Sequence, residues 1–334
     1  MVNHALVLDL VELVGAVPTG ATFTVEWSIA DFDVASETVA AWCRQTQNQL
    51  VEIGDSFAVV RRGRASDPLA DLDPDQLPGT RLWMYTNFDC NLACDYCCVR
   101  SSPQTARRAL GVDVVRQLAV EAVDAGVSEL ILTGGEPFLL PDLDEVVEVC
   151  TTQLPTTLLT NGMLFKGNRL ERLRRMDRQR LTLQISLDSA TPEIHDGHRG
   201  KRSWERAVDG IRIAHEEGFR VKVAATLPAE QLHELEPFHA FLDSISIARE
   251  DQVIRALARR GVSETGIELT VETLIPEVTI TADGVYWHPI AADHEDQLVS
   301  RELFPLKDAI DKVRARFVEH RQRADAAAAW FPCA

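Results

Sequence analysis

TNFDCNLACDYCCVRSS, Thr86–Ser102, places four of the chain's seven cysteines within nine residues: Cys90, Cys94, Cys97 and Cys98. In a reducing compartment, thiols crowded this way are metal ligands or redox groups more often than structural disulfides, and an odd total weakens a full disulfide framework. Cys90, Cys94 and Cys97 have the spacing C-x3-C-x2-C. A tetrahedral zinc site usually takes paired C-x2-C units with two further ligands downstream. There is no second pair, and the spacing and context of His195 and His198 do not favour them as the missing ligands. Three thiolates on one short loop suit a cubane whose fourth iron stays open, whereas electron-transfer clusters take four cysteines. Cys98 has no counterpart in such a trio and reads as a bystander; Cys150, on the apolar run VVEVC, reads as core.

Outward from this loop, residues 81–250 alternate between strand and helix patterns. RLWMYTN, ELILT, TTLLT, LTLQISLD, RVKVAATL and SISIA are the strand candidates, with helical stretches such as GVDVVRQLAVEAVDAG and SWERAVDGIRIAHEEG between them. That alternation predicts an α/β fold with a parallel sheet and right-handed crossovers. Six such units would curve into a partial (β/α)6 barrel with its chemistry at the carboxyl ends of the strands. The cysteine loop, Gly134-Gly135, Asn161-Gly162 and Asp188 each follow a strand candidate directly and would gather on one rim.

CNLACDYC resembles the cluster loop of the radical S-adenosylmethionine (SAM) enzymes, with Tyr96 matching an aromatic that the family places beside adenine. LTGGEP after the next strand strengthens the resemblance. It implies that Gly134, Gly135, Glu136 and Pro137 receive the methionine amino group, the glycines by close backbone approach. TNG with Asn161, SLDS with Ser186 and Asp188, and HDGHRG with Arg199 resemble the MoaA/PqqE-like branch of peptide-modifying and cofactor-building members. By that resemblance Ser186 or Asp188 lies near the ribose and Arg199 near the SAM carboxylate. The implied cofactors are one 4Fe–4S cluster and SAM, and the implied partner is an electron donor such as flavodoxin or ferredoxin. The implied chemistry is reductive cleavage of SAM to a 5′-deoxyadenosyl radical that abstracts hydrogen from substrate.

Residues 1–64 read as a small α/β unit: a helix patterned on Leu6, Leu8, Val11 and Leu13, the strand TFTVEW, the helix SETVAAWCRQTQ, and two strands flanking Gly54-Asp55. AAWCRQTQNQLVEI resembles the TusA-like sulfur-carrier fold, but that family's Cys-Pro-x-Pro motif is missing and Cys43 reads as a core thiol, so a docking or substrate-covering role without carrier chemistry is expected. Residues 65–80, with three prolines and four aspartates, read as a linker. From 251 to 334 the pattern changes: GIELTVE and EVTITADGVYWHP look like strands, the latter turning at Asp283-Gly284, before a closing helix. Members of the resembling branch often carry auxiliary clusters there, in a SPASM or twitch pattern. Here His288 stands where a cysteine is expected and only Cys333 lies beyond residue 150, so a degenerate cap without a cluster is expected. Cys333 is a candidate hydrogen donor to a substrate radical.

The formal net charge of −17 argues against nucleic-acid binding as the main business; the one basic run, Arg169–Arg180, reads as a solvated helix face. No apolar run approaches a membrane span, and the first residues lack a basic n-region, which together predict a cytoplasmic protein. The leading functional expectation is radical chemistry on a small molecule in natural-product or cofactor biosynthesis. The alternatives are a peptide-modifying maturase and, from another class, a non-catalytic iron–sulfur scaffold or sulfur-relay partner.

Overall fold

A computed structural model describes residues 4–63, 69, 72–233 and 235–330. The chain divides into two compact units, residues 1–77 with 315–334, and residues 78–314.

In the first unit, α1 (His4–Ala16) precedes β1 (Thr22–Glu26), α2 (Phe32–Thr46), β2 (Gln49–Gly54) and β3 (Phe57–Arg61). The sheet is antiparallel in the order β1-β3-β2. Strict alternation in β1 buries Phe23 and Val25 and exposes Thr22, Thr24 and Glu26. Helix α2 lays Ala35, Val39, Trp42 and Cys43, spaced i, i+4, i+7 and i+8, over them. Cys43 is thus a core thiol, and burial raises its pKa to about 11. The face of α1 differs from the expected one: Leu6 and Leu10 are buried, while Leu8 and Val11 are exposed. The β2–β3 turn is Asp55-Ser56, because Gly54 already pairs with Phe57.

The second unit is built on a nine-stranded sheet in the order β12-β11-β10-β4-β5-β6-β7-β8-β9. In chain order its elements are β4 (Arg81–Tyr85), α3 (Val112–Asp124), β5 (Glu129–Thr133), α4 (Leu143–Gln153), β6 (Thr156–Thr160), α5 (Asn168–Arg175), β7 (Leu181–Ser186), α6 (Pro192–Arg199), α7 (Ser203–Glu216), β8 (Arg220–Leu227), α8 (Glu236–Ser244), β9 (Gln252–Ala256), β10 (Thr279–Thr281), β11 (Gly284–Tyr286) and β12 (Leu298–Ser300). Helix α9 (Leu306–Trp330) runs through the boundary at residue 314. Strands β4 to β9 are parallel and neighbours in chain order, so crossovers of one hand bring the helices to one face. β5 is buried almost throughout, as a parallel strand covered on both faces must be.

Two strand expectations fail. SISIA is not the sixth parallel strand. Phe238 and Leu242, one helical turn apart, bury as the face of α8, which runs to Ser244; Ser246 takes a left-handed turn and β9 is QVIRA. GIELTVE forms no strand, only a bridge between Ala258 and Ile267: of its alternating apolar residues Ile267 is exposed and Val271 alone is buried. EVTITADGVYWHP does make the hairpin β10–β11, but β10 then pairs in parallel with β4, so this late segment extends the same sheet. No helix of the described residues is long and apolar enough to cross a membrane.

Candidate functional site

A cavity of about 410 Å³ opens at the carboxyl ends of the parallel strands, lined by Tyr85, Thr133, Thr160, Ser186 and Ala256 at the ends of β4 to β7 and β9 and by Thr226 one residue before the end of β8. Cys90, Cys94 and Cys97 line it together, with Cys98 beside them. The loop that carries them is strapped to the loop after β5. Gly135 N–H donates to the Asn87 carbonyl (2.9 Å), Glu136 N–H to that of Asp89 (3.0 Å), and the Asn87 amide reaches Asp89 and the Glu136 carbonyl. Arg107 grips the Asp89 carboxylate from outside. Burial would raise the pKa of Asp89, but hydrogen bonds from Arg107 and Asn87 outweigh it and hold the group below its ordinary value.

Gly134 and Gly135 line the cavity, yet they meet a second, internal demand that the sequence reading missed. A Cβ on Gly135 would stand 2.2 Å from the Asp89 carbonyl oxygen, and one on Gly134 2.6 Å from that of Asn87. From the other side Gly261, at φ +66, lies where a Cβ would meet the Cys97 carbonyl at 2.1 Å, and Val262 N–H donates to that same oxygen.

Burial raises the pKa of Cys90 to about 12, with Glu136 adding to the shift, and that of Cys94 to about 11, against the pull of Arg199. Unmetallated, both stay thiols at neutral pH. Two of the three sulfurs already receive backbone donors: Leu92 N–H points at Cys90 Sγ (3.4 Å) and Ser101 N–H at Cys97 Sγ (3.2 Å). Such donors stabilise sulfur as a metal-bound thiolate. Among the described residues no three His, Cys, Asp or Glu side chains converge on one point as a single metal ion requires. A cubane fits this donor set better, because each thiolate binds its own iron. His195 and His198 do not join the cysteines: Nδ1 of His195 accepts Asp188 N–H, and His198 pairs with Asp95 at the surface.

The SLDS and HDGHRG motifs converge on one carboxylate. Asp188, its side chain fully buried, accepts from Arg199 Nε (2.6 Å) and Nη2 (3.1 Å), from the Tyr96 hydroxyl (2.5 Å) and from Thr226 N–H (3.1 Å). Burial alone would raise its pKa; Arg199 and the other donors hold it down. His195 Nδ1 lies 3.8 Å from this carboxylate but forms no ion pair. Burial, then Arg199, lowers its pKa to about 4, and Nδ1 is already an acceptor. Arg199 also sits over the Tyr96 ring, 5.4 Å from its centroid. His195 and Arg199 act together because α6 sets them one turn apart. The sequence reading quoted this motif without its helix, though Thr191-Pro192 is a helix-start signal.

Glu136 is fully buried and accepts from Phe138 N–H (3.0 Å), the Thr160 hydroxyl (2.7 Å) and Asn161 N–H (2.8 Å). Burial raises its pKa, and these donors oppose the rise. Asn161 in turn donates to Asn91 on the cysteine loop. Tyr96, Gly134, Gly135, Asn161, Ser186 and Arg199 therefore line the cavity; Glu136, Pro137 and Asp188 lie behind its wall. Cys98 is half-buried and packs against the cluster that includes Tyr85, and Cys150 is core on α4. Cys333 lies outside the described residues. The cavity also has residues the sequence reading did not place there: Trp83, Arg255, Glu277 and His288. Arg255 was hidden by the misplaced sixth strand, since it sits one residue before the carboxyl end of β9.

Residues 84–242 match the family model of the Radical SAM superfamily. The antilisterial bacteriocin subtilosin biosynthesis protein AlbA of Bacillus subtilis (strain 168) is 32% identical over 148 residues, which cover 44% of this chain and 33% of that protein. An AdoMet-dependent heme synthase of Methanosarcina barkeri (strain Fusaro / DSM 804) is 33% identical over 148 residues, covering 44% of this chain and 42% of that one. Each alignment thus spans less than half of the relative. Among solved structures, anSMEcpe with bound AdoMet and Kp18Cys peptide shares the fold, with a TM-score of 0.55 at 12% identity over 72% of this chain and 82% of that one. The match over residues 84–242 makes that segment an enzyme domain of the Radical SAM type, whose cofactors are a 4Fe–4S cluster and SAM.

Proposed function

We propose that this enzyme holds one 4Fe–4S cluster on Cys90, Cys94 and Cys97, binds SAM at the open iron, and abstracts hydrogen from a small-molecule substrate in natural-product or cofactor biosynthesis. The observation that carries this reading is the strap of three thiols, lining one cavity at the strands' carboxyl ends, with backbone donors already aimed at two sulfurs. When bound, the cluster would supply the electron that splits the sulfonium C–S bond of SAM and yields the 5′-deoxyadenosyl radical. A protein electron donor of the flavodoxin or ferredoxin kind would recharge it.

The chain's own residues divide the remaining work. Gly134 and Gly135 offer bare backbone to the SAM ammonium. Glu136 acts from behind them, fixing Asn161 and Phe138. Ser186 presents its hydroxyl to the ribose while Asp188 holds Tyr96 and Arg199 in place for adenine and carboxylate; Arg199 keeps one amino group, Nη1, outside its pair with Asp188. The surrounding sheet is read as a partial (β/α)6 barrel, the segment after it as a degenerate SPASM/twitch-like cap without a cluster, and the first unit as a degenerate TusA-like domain.

A second reading, a peptide-modifying maturase, is favoured by the bacteriocin-biosynthesis relative and the peptide-bound neighbour. In that case β2 is a suitable capture edge: it ends its sheet and exposes Val51 and Ile53.

Anaerobic reconstitution tests the core claim. Iron near four atoms per chain, and 5′-deoxyadenosine formed from SAM and dithionite, are expected; alanine at all three cysteines should abolish both. Iron near eight would contradict the cluster-free cap, and a loaded protein that leaves SAM intact would end the radical reading.

A further inference from the structure

The cavity holds polar groups that the SAM reading leaves unused. Arg255 from β9 and His288 from the segment after β11 line it together with the cluster thiols. Only two cations line the cavity among the described residues. Arg199 is committed to Asp188. Arg255 gives its Nε to the Thr226 hydroxyl (3.3 Å) and pairs with no carboxylate among the described residues. Glu277, which also lines the cavity, cannot serve it, because Arg81 and the Trp83 indole already hold that carboxylate. His288 accepts Ile290 N–H at Nδ1 (3.1 Å), so the proton of the neutral ring sits on Nε2. Burial, then the nearby Arg255 and Arg81 charges, keep the ring neutral, with a pKa near 4. Its Nε2–H has no hydrogen-bond acceptor among the described residues.

We propose that Arg255 and His288 form a carboxylate-binding subsite that anchors the substrate within this cavity. This rests on reading the cavity as the chamber shared by SAM and substrate. The charge count selects the ligand: a single cation beside a neutral N–H donor matches a monoanion, and a planar guanidinium fork matches a carboxylate. A phosphate dianion would leave charge uncompensated in this partly enclosed space.

The test uses the iron-loaded protein with benzoate and its uncharged isostere benzamide as probes, measured by equilibrium dialysis. Benzoate should bind the wild type at least tenfold more tightly than Arg255→Gln; Arg255→Lys should recover part of the loss; benzamide should be indifferent to all three. SAM affinity of Arg255→Gln should stay within twofold of wild type. Benzoate binding that does not change with Arg255, including none to either protein, overturns the proposal. A tenfold loss of SAM affinity overturns it too, because the anion would then be the SAM carboxylate. If the wild type binds benzoate through Arg255 yet makes no 5′-deoxyadenosine, the subsite stands and the radical reading falls.

Discussion

Asp188 shows how much a single buried carboxylate can organise. It joins the end of β7, the aromatic of the cysteine loop and α6. Asp188→Asn should leave Arg199 as an uncompensated buried cation, at a cost of roughly 3–5 kcal/mol, read as a lower denaturation midpoint. Its charge was legible from the SLDS motif; its partners were not, since they come from three segments far apart in the chain. His288 was noted in the sequence only as a missing cysteine. Its folded pKa of about 4 lies below the ordinary histidine value, so the unfolded chain binds the extra proton between about pH 6.5 and 4. The stability this histidine contributes is complete above that window and falls as the pH drops through it, by about 1.4 kcal/mol per pH unit. His288→Gln should lose less stability than wild type between pH 7 and pH 5 in parallel urea titrations. Equal losses would mean that the ring already titrates normally in the folded protein.

At the scale of elements, the helices other than α6 and α8 and five of the six parallel strands were legible from their apolar periods. The sixth was not: the short alternation in SISIA imitates a strand, while the spacing of Phe238 and Leu242 makes the preceding residues a helix. The glycines of LTGGEP were legible as a loop needing bare backbone, but the reading aimed that backbone only at a ligand. Their tightest contact is with the cysteine loop itself. Gly135→Ala should therefore push the two loops apart and lower the iron retained after gel filtration, even before SAM is added. Full iron with weakened SAM binding would instead assign the glycine to the ligand alone.

For the whole molecule, the sequence reading ended the barrel near residue 250 and assigned the remaining residues to a separate cap. The sheet ignores that division. β10 pairs with β4, so the strand feeding the cysteine loop is interior, with late residues on one flank and β5 on the other. Strand pairing over such a separation leaves no local trace in the sequence. It also sets an order of events during synthesis. As the chain leaves the ribosome, one edge of β4 stays unpaired until Thr279–Thr281 emerge, and Gly261 has by then only just arrived over Cys97. Iron delivered to a nascent chain would meet a half-made cradle, and a chain stopped at residue 255 should keep almost no iron through gel filtration. On that expectation, cofactor insertion would wait until residues 261–281 are in place.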